Sequence, residues 1–214
     1  MLEVHAPHSR LHGWRDFLAH ILAIAVGLLL ALGLERTVEF IHQRHQLAQA
    51  RRELSAELQD NLRQWQKNQA EIKRVQTNLA HNLELIQALR MHAAPSGHFD
   101  YSESMYSTLD GAWQAARENG ALNLMPHKEL MDYAWFHQLL GWVMDAKHGF
   151  EPTMKIAGAI AVSAAPDKIT AHDLDELASK TMEAQGRLEN LDMLERFEGM
   201  GFERLSEGKL GQLH

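Results

Sequence analysis

Hydrophobic and polar positions divide this chain into three stretches, and the first is an unbroken apolar run. The eighteen residues from Phe17 to Leu34 carry no formal charge. A helix rises about 1.5 Å per residue, so a run of this length just crosses a hydrocarbon core of about 30 Å. The pattern predicts a transmembrane helix over 16–35, which follows an N-terminal tail over 1–15.

The second stretch predicts a long amphipathic helix over 36–92, because it lacks proline and glycine and is rich in good helix formers. Large apolar side chains recur in it every seven residues, a spacing that favours a coiled-coil seam. We call these residues the stripe: Leu58, Trp65, Ile72, Leu79 and Ile86. Asn61, Asn68 and Asn82 lie beside the stripe, and polar positions of this kind fix register or partner choice.

The third stretch predicts a helical domain over 98–198 that packs on the long helix. Capping residues, prolines and glycines divide it into helices over 101–118, 126–147, 152–165 and 170–196. The predicted starts are the capping pair Asp100 and Glu103, then Pro126, Pro152 and the pair Thr170 and Asp173. The predicted ends are Asn119-Gly120, His148-Gly149 and Pro166. The glycine-rich residues 199–214 predict a loosely ordered tail. No segment alternates with a period of two residues, so the predicted class is all-α: one N-terminal transmembrane helix that continues into a long amphipathic helix, followed by a small helical bundle.

The apolar run has two alternative interpretations. Ala31 and Gly33 form a small-x-small site at which a signal peptide could be cleaved, although the run is longer than most signal-peptide cores. A buried core helix is the other, but such helices usually carry a polar stripe. Arg10 and Arg15 ahead of the run resemble an uncleaved signal anchor, which places the N-terminus inside and the bulk of the chain in the periplasm of a bacterial inner membrane. A plain count of Lys and Arg on both flanks favours the opposite orientation.

Composition and charge exclude several classes of function. The 214 residues include no cysteine, which excludes disulfides, thiolate metal sites and a cysteine nucleophile. The net charge is −7, and residues 93–214 hold 10 Lys and Arg against 19 Asp and Glu, so no nucleic-acid partner is expected. There is no nucleophile elbow and no phosphate-binding glycine loop. We therefore predict a chain that is not an enzyme and has no cofactor.

Four sets of residues are candidates for binding, and three of them lie in or just after the apolar run. His20 lies one turn inside the predicted membrane helix and could ligate a haem or pigment or contact another helix. Residues of a small-xxx-small face favour close helix packing there: Ala23, Gly27 and Ala31. A weak metal candidate shares one face of the next turns: Glu39, His42 and His45. Tryptophans on amphipathic faces are expected in the core, or around a ligand cavity: Trp65, Trp113, Trp135 and Trp142.

Two segments of the chain carry a resemblance: AVGLLLALGLE followed by RTVEFIHQRHQLAQARRELSAELQDN, within residues 14–61, and AWQAARENGALNLMPHKELMDYA over residues 112–134. In these segments the chain resembles a family of uncharacterised bacterial single-pass membrane proteins with an N-terminal transmembrane helix and a helical extramembrane domain. Together these segments cover about a third of the chain. The resemblance implies the same architecture, with the helical domain facing away from the cytoplasm, and it implies no activity.

The function predicted from these observations is that of a non-enzymatic, membrane-anchored accessory or scaffold subunit. It would act through helix–helix contacts of the stripe and the membrane helix, as a homo-oligomer or within a larger membrane complex, with membrane lipid around its anchor. Two alternatives stay open at this point. One is an extracytoplasmic ligand sensor, and the other is a subunit of a pigment or haem complex that uses His20.

Overall fold

The computed structural model describes residues 13–93, 96–163 and 169–210, and the regular structure in these ranges is helical throughout. Its elements in chain order are α1 (Gly13–Arg90), α2 (Gly111–Glu118), a 3₁₀ helix (Ala121–Leu124), α3 (His127–Ser163) and α4 (Ala171–Leu210). The predicted all-α class is therefore confirmed. Most of the predicted N-terminal tail and the last four residues of the chain lie outside the described residues.

The chain divides into two compact units, and the first, Met1–Gln49, contains the N-terminal part of α1. This part is long and apolar enough to cross a membrane, and none of its apolar window is buried within the chain. Leu22, Leu29 and Leu30, for example, are each more than 60% exposed. A core helix would be covered by its own chain, so the interpretation of this run as a buried core helix is wrong.

In the second unit, Ala50–His214, the rest of α1 packs with α3 and α4 around an apolar core. Arg51 lies beside Glu129, and Ile86 shares a cluster with Ala157, so α1 and α3 run in the same direction. Each helix contributes buried residues at helical spacing, which is how an amphipathic face becomes a core. One cluster is formed by Ile72, Val75 and Leu79 of α1, Val143, Phe150 and Met154 of α3, and Ala184, Leu188 and Leu191 of α4.

Helix α3 is one continuous helix where the sequence predicts two. The predicted end at His148 and Gly149 and the new start at Pro152 are wrong, since α3 passes through Pro152. An internal proline removes a backbone hydrogen bond and costs about 3 kcal/mol. Phe150 and Met154 on either side of it are at most 1% exposed, and their burial in the core offsets that cost.

The predicted helix over 101–118 begins ten residues later than expected, at Gly111. Residues 98–110 form neither helix nor strand, and we call them the non-helical segment. Asp100, expected to cap a helix, accepts hydrogen bonds from the backbone N–H and the hydroxyl of Ser102 instead, which is a local turn. The predicted end of this helix is confirmed, because Gly120 adopts the left-handed conformation with φ of 79°.

Helix α4 begins as the sequence predicts but ends later. Thr170 and Asp173 form the expected reciprocal cap, with each side chain accepting a bond from the other's backbone N–H. The helix continues to Leu210, past the end expected near Arg196. Phe202 and Leu205 are 5% and 6% exposed, so the core holds the last turns that glycine content alone would leave loose.

Candidate functional site

The three asparagines beside the stripe bind the non-helical segment in the same way. Each donates a hydrogen bond from its amide nitrogen to a backbone carbonyl and accepts one at its amide oxygen from the N–H of the same residue. Asn68 does this to Tyr106, at 3.0 and 2.8 Å. The same two-bond pairs join Asn61 to Leu109, at 2.8 and 2.7 Å, and Asn82 to Asp100, at 2.8 and 3.0 Å. We call this arrangement the asparagine ladder.

The spacing of the ladder shows that the non-helical segment is extended and runs antiparallel to α1. Seven residues separate Asn61 from Asn68, which is about 10.5 Å of helix. Their partners, Leu109 and Tyr106, are three residues apart, which is also about 10 Å in an extended chain. Two helical turns therefore match three extended residues. Each asparagine amide makes the two backbone hydrogen bonds that a neighbouring β-strand would otherwise make.

Two acidic side chains of α1 also bind backbone N–H groups, between and beyond the three asparagines of the ladder. The Glu57 carboxylate accepts hydrogen bonds from the backbone N–H groups of Ala112 at 2.6 Å and Trp113 at 3.4 Å, in the first turn of α2. It caps that helix in place of Asp110, whose side chain makes no capping bond. Burial raises the pKa of Glu57 in spite of these two bonds. Glu71 accepts a further bond from the N–H of Ser104 at 2.7 Å.

A buried ion pair lies against the same face of α1. The Lys147 ammonium of α3 is 3.0 Å from Glu195 Oε1 of α4, and the two side chains are 4% and 0% exposed. Lys147 also donates to the carbonyl of Tyr106 at 2.9 Å. Asn68 and Gln69 donate to the Glu195 carboxylate at 3.2 and 3.3 Å. The pair thus joins α1, α3, α4 and the non-helical segment at one point, which we call the polar junction.

A second carboxyl group, Glu198, lies one turn further along α4 and has no such partners. It is 1% exposed, and neither carboxyl oxygen has a hydrogen-bond partner in the part of the chain that the structure describes. Burial, together with the charge of Glu195, raises the pKa of Glu198 to about 8, against an opposing effect of Lys147. Glu198 therefore carries a proton at neutral pH, and the junction has one ammonium facing one carboxylate.

The tryptophans are divided between the interior and the surface. Trp113 stacks on His137 with ring centroids 4.5 Å apart, and burial lowers the pKa of His137 to about 4, so this imidazole is neutral. Trp65 donates its indole N–H to the carbonyl of Glu195 at 2.7 Å. Trp135 and Trp142 are 37% and 50% exposed, so the expectation that they belong to the core is wrong.

The stripe that the sequence assigns to partner binding lies largely inside the chain's own core. Ile72, Leu79 and Ile86 are at most 1% exposed. Leu58 and Trp65 are half-buried. Ile72, Leu79 and Ile86 are therefore covered by the chain itself, whereas Leu58 and Trp65 are covered only in part, and a partner contact of the stripe stays a prediction.

The candidates in the first unit are all exposed on α1. His20 Nδ1 lies 2.9 Å from the carbonyl oxygen of Asp16 and donates to it, which leaves Nε2 as an acceptor for a metal or a neighbouring helix. Both predicted roles of His20 stay predictions. The small-residue face of Ala23, Gly27 and Ala31 is uncovered along its length.

The weak metal candidate gains no support from the geometry. Glu39 accepts a hydrogen bond from Gln43 at 2.7 Å, and His42 and His45 are exposed on the same helix. Within the described ranges no group of three His, Asp or Glu residues is placed to hold a metal ion.

Sequence reasoning missed Lys147, Glu195 and Glu198, although the chain carries a signal for them. Lys147 lies between the core positions Val143 and Phe150 of α3. Glu195 and Glu198 occupy core positions of α4 in the same way, at helical spacing from Leu191 and Phe202. A charged residue at a core position of an apolar period indicates a buried polar group, which needs partners from other elements.

Comparison with known proteins adds no family to this description. No family model matches the chain, and no curated protein or solved structure matches it.

Proposed function

We propose that this chain is a non-enzymatic accessory or scaffold subunit, anchored by one transmembrane helix in a bacterial inner membrane with its bundle in the periplasm. One observation carries the proposal. The apolar window of α1 is wholly uncovered by its own chain, whereas Ile72, Leu79 and Ile86 of the stripe are covered by α3 and α4. Lipid and the helices of other membrane proteins are the partners that suit an uncovered apolar helix.

This difference in covering supports a partner contact on the membrane helix in preference to the stripe. Gly27 and Ala31 lie one helical turn apart, and His20 lies seven residues before Gly27, on the same face. Small residues allow close approach of two helices in lipid, and an imidazole can donate or accept across the contact. This face is the one that we expect to meet a second helix.

Because the chain has no cysteine, single introduced cysteines test this contact without background. The full chain is expressed in bacterial membranes with cysteine at Ala23, Gly27 or Ala31, and with matched controls at Leu18, Ala25 and Leu29 on the opposite face. Oxidation should give disulfide-linked dimers for the first set and not for the second if the chain associates with itself.

The same membranes test whether the partner is a different protein and whether the anchor is retained. The wild-type chain is extracted in mild detergent, and its intact mass and co-purifying proteins are measured. Either face-specific disulfides or a stoichiometric partner protein supports an accessory role, and a partner should be lost in Gly27→Leu but kept in Leu29→Ala. A mass that lacks the residues up to Gly33 would show a cleaved signal peptide. That result, or an intact monomer without a partner, overturns the proposal.

A separate fusion tests the location of the bundle. Alkaline phosphatase fused after residue 210 should be active if the bundle is periplasmic.

A further inference from the structure

The second unit contains an apolar cavity that the proposed anchoring function does not use. Its volume is about 520 Å³, within the range of small-ligand sites. It lies between the end of α1, the start of the non-helical segment and the C-terminal half of α3. Six apolar side chains form most of its wall: Leu85, Leu89, Phe99, Met154, Ala161 and Ile169.

Polar groups beside the cavity floor are already paired. The Tyr101 hydroxyl lies 2.6 Å from Thr181 Oγ1, and Thr181 in turn donates to the carbonyl of Leu177 at 2.7 Å. Gly158 brings α3 close to the Tyr101 side chain, since a Cβ at Gly158 would lie 3.3 Å from Tyr101 Cβ. The floor is therefore closed and apolar, and the part of a ligand that fills it must be hydrocarbon.

One ammonium group lines the cavity, that of Lys155. His98 also lines it, and no Asp or Glu is among the described residues that do so. This is unusual in a region where 19 acidic residues face 10 basic ones, over residues 93–214. The Lys155 ammonium lies 3.5 Å from Glu151, but both side chains are exposed, at 72% and 38%. Exposed pairs of this kind are weak, so Lys155 can bind another carboxylate.

We propose that this cavity binds a single-chain amphiphile with a carboxylate head, of the class of long-chain fatty acids. The hydrocarbon chain fills the space between Leu89, Met154 and Ala161, and the carboxylate faces Lys155 and His98. The apolar wall supplies most of the affinity, and the Lys155 ammonium supplies the preference for an anionic head.

Photochemical labelling tests the proposal on the full chain in nanodiscs. The probe is hexadecanoic acid with a diazirine near its methyl end, and labelled peptides are located by mass spectrometry. Labels are expected in residues 85–102 and 154–162, and unlabelled hexadecanoate should compete with them. The membrane helix over 17–34 is labelled from the lipid phase in every sample and serves as the internal control.

Variants separate the two parts of the proposal. Ala161→Phe and Leu89→Phe fill the cavity and should each reduce cavity labels about tenfold, with unchanged labels in 17–34. Lys155→Glu should reduce labelling by the acid about fivefold, in keeping with one exposed ion pair, and leave labelling by the equivalent diazirine alcohol unchanged. Lys73→Glu, on an exposed part of α1, is the matched control.

Three results would overturn the proposal. Labels confined to 17–34 would show that the cavity is not occupied. Cavity labels that persist in both filled variants, each shown by circular dichroism to be folded, would place the probe elsewhere. Equal labelling by acid and alcohol, unaffected by Lys155→Glu, would remove the carboxylate from the proposal. None of these results bears on the contact of the membrane helix.

Discussion

Asn68 holds both backbone groups of Tyr106, with its amide nitrogen 3.0 Å from the carbonyl oxygen and its amide oxygen 2.8 Å from the N–H. The asparagine is 1% exposed, so neither bond is open to exchange with water. Its nitrogen also reaches Glu195, which makes Asn68 the residue that connects the ladder to the polar junction.

Replacing Asn68 by alanine should therefore destabilise the bundle by about 1–3 kcal/mol, because the N–H of Tyr106 loses its partner and its carbonyl keeps only Lys147. Denaturation of the full chain in detergent, followed by tryptophan fluorescence, measures the change. Hydrogen exchange should become faster at residues 104–109 in particular. Asn190→Ala, at an exposed asparagine of α4, is the control and should change stability by less than about 0.5 kcal/mol. Equal effects of the two substitutions would contradict the ladder.

Glu198→Gln should stabilise the folded chain at alkaline pH. The folded pKa of Glu198 is raised from 4.5 to about 8, so its contribution to stability is complete below pH 4.5 and is lost as the pH rises to about 8. Over that window of about 3.5 pH units, at about 1.36 kcal/mol for each, the loss amounts to as much as about 5 kcal/mol. Glutamine keeps the neutral form, so the variant should lack this decline.

The quantity to measure is the difference in unfolding free energy between wild type and Glu198→Gln at several values of pH. Taking the difference is necessary because His137 also makes the stability of the chain depend on pH. Its folded pKa is lowered to about 4, so its contribution to stability is lost as the pH falls from 6.5, the opposite direction to that of Glu198. A difference that does not change between pH 5 and 9 would mean that Glu198 is ionised in the folded chain.

Lys147→Met should be among the most damaging single substitutions, at about 3–5 kcal/mol, because it leaves the Glu195 carboxylate buried without its ammonium. Replacing both partners, as Lys147→Met with Glu195→Leu, should recover much of the loss. The matched control is Lys155→Met, whose exposed pair with Glu151 contributes at most about 1 kcal/mol. Thermal melting of these three variants, of Glu195→Leu alone and of wild type forms the comparison. Additive losses in the double variant would argue against a coupled pair.

Gly201→Ala should destabilise the bundle by about 1–3 kcal/mol, because a Cβ there would lie 2.6 Å from the ring of Phe136, which is itself 1% exposed. Gly186→Ala, on the same helix with nothing within 4 Å, should stabilise it by about 0.5–1 kcal/mol. The two substitutions make the same chemical change in one helix. Melting shifts of the same sign would show that close packing at Gly201 is not the cause.

The fold could be predicted from the sequence where local signals are strong. The apolar run, the seven-residue spacing of the stripe, and the Thr170–Asp173 cap each depend on residues close together in the chain. The end of α2 at Gly120 is of the same kind. The structure has a helix at each of these places, as the sequence predicts.

Other elements are decided by contacts from distant residues, which spacing alone does not show. Residues 101–110 have a capping signature but are held extended by asparagines that precede them by 18 to 48 residues. Pro152 predicts a break, yet the burial of Phe150 and Met154 keeps α3 continuous. The polar junction combines residues of α1, the non-helical segment, α3 and α4. The sequence shows that Lys147 and Glu195 lie at core positions of their helices, but it does not show that they meet.

The asparagine ladder also limits how the length of this domain can vary. Inserting one residue into α1 between Asn61 and Asn82 would rotate every later rung by about 100° and separate it from its partner. Adding seven residues to the helix and three to the non-helical segment would keep both in phase, since each addition is about 10 Å long. Homologues of different size should therefore differ by seven residues in the helix together with three in the non-helical segment. The length of the domain then changes only in steps of about 10 Å.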